Sequence, residues 1–576
     1  MCGIFALLCS SDFEVDRATL EAYSSTGKKR GPEHSSFHKM SNAYNFDLYF
    51  GFHRLAINGL DEISHQPIVQ HPYSVICNGE IYNAPSIFKA QDILPKTNSD
   101  CEAILALYER NERLCVNALD GVFAFVLYDE KNNQIMVARD PYGVRPLYEC
   151  IYDDDTIGFA SDIQPLLMSE HSIKYIRAFP PGSYAIYKPG LRNWVMKHQE
   201  RYYFNTSYLS LTSFGKDREF PIEYYMYTFV EKLKLAIHKR VQNCERDIAC
   251  LLSGGLDSSI ISAYVSRYYK EKTGGVLQTY SIGLEGSEDL RYAKQVADHI
   301  GSLHTSVQVT NEEFIHSIPQ VIQDIESYDT TTVRASVGNW NMGKYIACHS
   351  SAKVIFNGDG ADELMGGYMY FHCCPTNKQF DEETRRLLAH IHRFDVLRSD
   401  KSISSHGLEP RTPFLDKELT RFYLSIPVQY RNHNSILGKK RCEKYFTRKA
   451  IEEYDPSLLP KEILWRQKEA FSDGVSSQQK SWYEVIQDHV QEHETEKDDE
   501  TPTYVINPPT TPEQRYYRRE FRKHFPPCCD ALIPYFWMPK FIEGVTDASA
   551  RSLSIYNEIK SRIDWMINTE FISYIW

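Results

Sequence analysis

The stretch Asp247–Glu271, DIACLLSGGLDSSIISAYVSRYYKE, decides the fold. DIACLL is an apolar run of strand length. After SGGLDSS, the segment IISAYVSRYYKE carries apolar residues at helical spacing. Gly254 and Gly255 let the backbone turn tightly and approach a ligand closely. The helix behind them points free N–H groups and a partial positive charge at the turn, which makes it an anion site. Ser253, Ser258 and Ser259 add hydroxyl donors. Asp257 is a poor phosphate partner alone and fits when a Mg²⁺ bridges it to the phosphates. GxxxxGK[ST] is absent, so the turn is not of the Walker type. KVIFNGDGADEL, residues 353–364, repeats the plan of a strand and a glycine-containing turn. Strands alternating with helices beyond Tyr224, beginning with the amphipathic YYMYTFVEKLKLAIHKRV, predict a parallel α/β sheet.

Toward the N-terminus the pattern changes to short β-like segments: FGFHRLAI, YSVICNGEIY, GVFAFVLYD and QIMVARD. The last two flank EKNN, a polar turn, and predict a hairpin. SDCEAILALYERN predicts a helix with Ser99 or Asp100 as its cap. FPPGSYAIYKPG, with its prolines and glycines, reads as the end of this region. The expected organisation is one domain over 2–200, a second over 220–545 and a tail over 546–576. QEHETEKDDETPTYVINPPTTPE reads as a surface loop near the end.

The bulk numbers narrow the function classes. The 576 residues are 42% hydrophobic and carry a net charge of −12, which argues against a nucleic-acid binder. No apolar run approaches the ~20 residues of a membrane span. IFALLC is short, has no basic region before it and leads into acidic SSDFEVD, so it does not read as a signal peptide. A cytoplasmic location is expected, with the 14 cysteines mostly reduced. Cys373-Cys374 and Cys528-Cys529 are adjacent residues rather than CxxC elements, so no zinc site is expected.

Cys2 stands directly behind the initiator methionine. Once Met1 is removed, an α-amino group with an ordinary pKa near ~7.7–8.0 lies on the same residue as the thiol. That amine can take the thiol proton directly or through a water. A nucleophile also needs a substrate grip and an oxyanion hole. Arg54 in HRLAI suits a carboxylate, and Asn78 with Gly79 in CNGEIYN suits a tetrahedral oxyanion. Glu80 and Asp100 suit the α-ammonium group of an amino acid.

MCGIFALL, RGP at 30–32, HRLAI, NGEIYN, SDCE and RDPYGVRPLY resemble a class II glutamine amidotransferase domain. The resemblance implies an N-terminal-nucleophile αββα sandwich that releases ammonia from glutamine at Cys2, with Leu55 and Ile57 joining the glutamine site. SGGLDSS resembles the pyrophosphate loop of N-type ATP pyrophosphatases, which cleave ATP between its α- and β-phosphates. Together with LQTYSIGLEGSEDL, YDTTTVRASVG, GLEPRTPFLD and LPKEILWRQKEAFSDG, the chain is similar to the asparagine synthetase family over nearly its whole length. That likeness implies ATP at Leu251, Ser253, Gly254, Gly255, Asp257, Ser258, Ser259, Ile282, Asn357 and Gly358. It implies Mg²⁺ at Asp257 and Asp362, a phosphate contact at Lys468, and aspartate or its adenylate at Thr331, Thr332, Arg334 and Asp359. The implied partners are L-glutamine, L-aspartate and ATP, with no nucleic acid and no membrane, and a homodimer is allowed. A β-lactam synthetase-like amide former and a catalytically silent sensor on the same fold remain as alternatives.

One motif departs from the family pattern. Where the family reads SGEGSDE, this chain reads NGDGADE, with Asn357, Asp359 and Ala361 substituted. The family glutamate is associated with forming the intermediate and receiving ammonia. Asp359 keeps the charge but is shorter by one methylene, about 1–1.5 Å. Errors of that size cost ~10²-fold in rate. On sequence alone, Asp359→Glu is expected to raise the asparagine yield per glutamine consumed or to change the synthetase rate, as product assays would read.

Overall fold

The computed structural model describes residues 1–40, 47–204, 220–436, 441–468, 481–493 and 504–545, with isolated positions between 547 and 556. Most of the expected tail, the acidic run 494–503 and the AFSDG end of the 459–474 motif lie outside the described residues.

GIFALL forms the strand Gly3–Leu8, buried along its length. Its side chains alternate between two cores, as strand geometry requires. Ile4, Ala6 and Leu8 face one core, and Phe5 and Leu7 the other. The strand is interior to a six-stranded sheet ordered 173–178, 148–152, 157–160, 3–8, 48–54, 34–39. A second six-stranded sheet runs 194–201, 183–189, 134–139, 121–129, 73–81, 68–70. The two sheets share a core of Ile4, Ala6, Phe50 and Phe52 with Ile76, Ala124, Val126 and Val137. Helices Ala84–Gln91 and Glu102–Asn111 cover the far face of the second sheet. On the far face of the first, Phe5, Leu7 and Cys150 lie in one core with Leu20 of helix Arg17–Ser25 and with Phe314, Ile318 and Ile322. The result is an αββα sandwich in which one helical layer is partly supplied by the second half.

The EKNN hairpin is present: Gly121–Asp129 pairs antiparallel with Gln134–Arg139. Two local expectations are corrected. FPPGSYAIYKPG does not end the region, because Ser183–Pro189 is a strand between Gln134–Arg139 and Trp194–Arg201. Its prolines sit before the strand and at its last residue, where no interior ladder bond is lost. Neither Ser99 nor Asp100 caps the next helix, whose N-cap is Cys101. The Asp100 carboxylate instead accepts from Ile81 N at 2.7 Å.

The second half holds a five-stranded parallel sheet ordered 303–309, 278–284, 248–251, 354–356, 409–411. From 248–251 the chain winds outward through two strands, then returns to place 354–356 on the other side. This reversal is a topological switch point, where the crevice beyond the strands' carboxyl ends takes ligands. The turns after the two central strands, 252–255 and 357–360, meet there. Among the described residues no helix is long and apolar enough to cross a membrane, and no cysteine is in a disulfide.

A chain of buried ions joins the halves. Arg30 donates from Nε to Cys2 O at 3.0 Å, from Nη1 to Asp162 at 3.1 Å and from Nη2 to Asp400 at 2.7 Å. Arg145 stands 3.7 Å from Asp400 and 3.5 Å from Glu409. Arg411 bonds Glu409 at 2.9 Å and lies 3.4 Å from Glu80. Lys401 pairs with Glu326 and stands 3.5 Å from Asp162. Removing one partner strands the other's charge in a medium of low dielectric, at a cost of ~3–5 kcal/mol. Asp400→Ala is therefore expected to lower stability by about that amount in denaturant titration; a loss below ~1 kcal/mol, the level of surface pairs, would show the interface to be solvated.

Candidate functional site

Cys2 is half-buried just ahead of the central strand of the first sheet, and its Sγ lies 3.6 Å from Leu55 O. Burial raises its thiol pKa, and the nearby amino terminus lowers it in part. The amino group of Met1 is fully buried, bonded to Leu408 O at 3.3 Å, and burial brings its pKa down to about 6.

The other first-half candidates gather around it. Asn78 is wholly buried, its Nδ2 3.4 Å from Ser161 Oγ and its Oδ1 without a partner. Ser161 Oγ also accepts from Ile4 N at 3.1 Å, which ties Asn78 to the Cys2 strand. Gly79 must be glycine, because a Cβ there would stand 2.3 Å from Val122 O. Leu55 and Ile57 are buried at the end of HRLAI. Arg54 is buried beside them. Its guanidinium donates to Asp61 O at 2.8 Å and to the carbonyls of Gly59 and Asn58, so it folds the 58–61 turn.

Glu80 and Asp100 meet as a buried acid pair. Asn243 Nδ2 donates to Glu80 Oε2 at 2.9 Å and to Asp100 Oδ2 at 3.0 Å. Asn58 Nδ2 donates to Glu80 at 2.5 Å. Burial, then the charges of Asp100 and Glu409, push Glu80 well above its ordinary range, with Arg411 opposing; burial also raises Asp100. Such a pair suits a cationic guest. Asn243 and Arg411 belong to the second half, so residues of both halves surround this acid pair. Sequence reading missed both, since neither sits in a motif of the first half.

In the second half, a cavity of ≈260 Å³ occupies the switch point. Leu251, Ser253, Gly255, Asp257, Ser258, Ile282, Thr331, Thr332, Asn357, Gly358, Asp359, Asp362 and Lys468 all line it. Gly254 does not, but its φ of +72° and the 2.5 Å separation of a Cβ from Ala293 N require glycine there. Ser259 is fully buried one helical turn in, its N–H donating to Gly255 O at 3.1 Å. Gly358 brings the second turn against the first, since a Cβ would lie 2.9 Å from Ser258 N.

Arg334 is the residue the structure places elsewhere. It is 4% exposed and bonds Glu513 at 2.8 Å and Asp547 at 2.9 and 2.7 Å, with its guanidinium over the Tyr483 ring. Buried Glu513 of the helix Pro512–Arg522 and half-buried Asp547 hold it, and it is not among the residues that line the cavity. The cation that sequence reading missed is Lys444. It lies between Asp257 and Asp362, pairing with Asp257 at 2.5 Å, and Lys468 pairs with Asp362 from the other side. These lysines hold the Asp362 carboxyl far below its usual range against the cost of burial. Lys444 is one of several basic residues in GKKRCEKYF, and nothing in their spacing selects it.

The Asparagine synthase family matches residues 228–379 and 373–530, and the Glutamine amidotransferase domain family matches residues 1–189. Asparagine synthetase [glutamine-hydrolyzing] of Gallus gallus is 40% identical, covering 96% of this chain and 99% of its own. The same enzyme of Rattus norvegicus is 40% identical and that of Homo sapiens 39%, each with 96% of this chain and 99% of its own covered. The fold and the two sites thus define a glutaminase-type sandwich joined to a nucleotide-type parallel sheet. The chain belongs to the glutamine-hydrolysing asparagine synthetase family.

Because its folded pKa is raised, Glu80 binds protons in the native state that the unfolded chain has released above about pH 4.5. Stability therefore falls as pH climbs from there through the folded value. Glu80→Gln removes that fall. Urea titrations at pH 5 and pH 8 are expected to show the mutant gaining on the normal protein at the higher pH, while KM for glutamine rises. An equal difference at both pH values would mean Glu80 is not the strained acid.

Proposed function

We propose that this chain makes asparagine from aspartate and ATP with nitrogen drawn from glutamine, using Cys2 and the switch-point cavity as its two centres. The supporting observation is that one chain carries both sites, with Asn243 and Arg411 of the second half completing the acid pocket of the first. In this reading residues 2–200 are the glutaminase once Met1 is gone, 220–545 the synthetase and 546–576 a tail, in a cytoplasmic enzyme.

Cys2 Sγ attacks the glutamine side-chain amide and its proton passes to the free α-amine. Asn78 Nδ2 and Gly79 N–H face the tetrahedral oxyanion, and Glu80 with Asp100 holds the substrate ammonium. Arg54 shapes the turn beside them. The amine returns the proton to the leaving ammonia, and water clears the thioester.

In the cavity, aspartate's β-carboxylate attacks the α-phosphorus of ATP and pyrophosphate leaves. Leu251 and Ile282 flank the adenosine, while Ser253, Gly255 and Ser258 meet the phosphates. Asp257 and Asp362 fit Mg²⁺. They are hard carboxylate donors facing one cavity, Asp257 Oδ1 is buried without a hydrogen-bond partner, and this ion needs only one or two carboxylates beside substrate phosphates. When bound there it draws charge from the departing pyrophosphate. Lys444 bridges the two carboxylates, Lys468 pairs with Asp362, and both add positive charge. Thr331 and Asp359 face the acyl end. Ammonia arrives through the interior, where exclusion of water keeps it unprotonated, and displaces AMP.

Asparagine formation from aspartate and MgATP, with glutamine or ammonium as nitrogen source, tests the reading in the normal chain and in Cys2→Ala. Both sources are expected to work in the normal chain and only ammonium in the mutant. Glutamine hydrolysis without asparagine from either source would direct the search to another acceptor.

A further inference from the structure

Asp359 lines the cavity, and its surroundings are specific. Asn357 uses both ends of its side-chain amide. Oδ1 accepts from Asp359 N at 3.3 Å and Nδ2 donates to Ser399 Oγ at 2.7 Å. Both residues are buried, at 4% and 1% exposure. Ser399 lies on the helix Asp395–Ser404. Its neighbour Arg398 donates from Nη2 to Asp359 Oδ1 at 3.1 Å and also pairs with Asp395. Asp395 Oδ2 in turn accepts from Gly360 N at 3.1 Å. One helix thus holds the 357–360 turn at a side chain, at the Asp359 carboxylate and at a backbone N–H. The second carboxylate oxygen, Asp359 Oδ2, is buried without a partner on a residue that lines the cavity.

We propose that Asn357 and Ser399 are positioning residues that set the depth of this turn, so that Asp359 presents its free oxygen to the cavity. The proposal rests on reading the cavity as the adenylate site. The physical reason is reach. A serine at 357 has one oxygen and cannot bridge Asp359 N to Ser399 with separate donor and acceptor atoms. Without that bridge Arg398 and Asp395 are the side chains of this helix that still hold Asp359 and Gly360. A misplacement of ~1 Å costs on the order of 10²-fold in rate. By the same argument a glutamate at 359 is too long for this cradle, and its carboxylate is displaced from Arg398.

The test is a cycle of variants assayed for asparagine formation with ammonium, aspartate and MgATP. Asn357→Ser and Asp359→Glu are each expected to lower kcat about 10–100-fold, with KM for ATP little changed. Their combination is expected to recover most of the loss, a sign of coupling that simple damage does not give. Ser399→Ala is expected to lower kcat while leaving glutamine hydrolysis unchanged. Losses that multiply in the double variant, or no loss in Asn357→Ser, overturn the proposal. Crystal structures of the normal chain and Ser399→Ala decide it independently of turnover: an Asp359 carboxylate in the same place in both overturns it, and a shifted one supports it. Absence of asparagine from the normal chain overturns the functional reading instead, and the crystallographic comparison then decides the cradle.

Discussion

The pairing of Arg30 with Asp400 across the two halves is the constraint on which the rest of the structure depends. Both side chains are almost wholly buried, so neither charge has water to fall back on. A buried guanidinium has five N–H donors to satisfy. Arg30 directs them to Cys2 O, Asp162 and Asp400, and thereby fixes the nucleophile's backbone to an acid from the opposite half. The neighbouring pairs extend the same logic, through Arg145 and Glu409 to Arg411 and Glu80. Each ion is tolerable only while its partners are in place, so the halves have one low-energy register.

Charge neutralisation across distant segments recurs in both sites. The acids proposed to receive a cationic guest, Glu80 and Asp100, are left strained by burial, and the amide of Asn243 spans them. The acids proposed for Mg²⁺ are held by lysines instead. The helix Asp395–Ser404 serves both places. Asp395, Arg398 and Ser399 touch the 357–360 turn, while Asp400 and Lys401 reach the first half. A single rigid helix thus links the position of the acceptor turn to the position of Cys2.

Much of this was legible in the sequence, and the reason differs by element. The apolar runs in GVFAFVLYD and DIACLL set strands because composition and length are local properties. SGGLDSS identified a ligand turn because Gly254 needs a positive φ and a backbone approach that no other residue allows. FPPGSYAIYKPG misled because proline signals a boundary without saying whether a strand begins or ends there.

Residue types and spacing by themselves pointed to two αβ halves, a candidate nucleophile at Cys2 and a candidate phosphate turn at 253–259, and the resemblance of the motifs pointed to the family. They did not determine which distant charges meet. Arg334 looked like a ligand and is instead neutralised by Glu513 and Asp547; Lys444, Asn243 and Arg411 looked ordinary and complete the sites. Only the tertiary structure decides such pairings. The energy of a buried ion depends on its distance to partners hundreds of residues away, and local pattern carries no record of that distance.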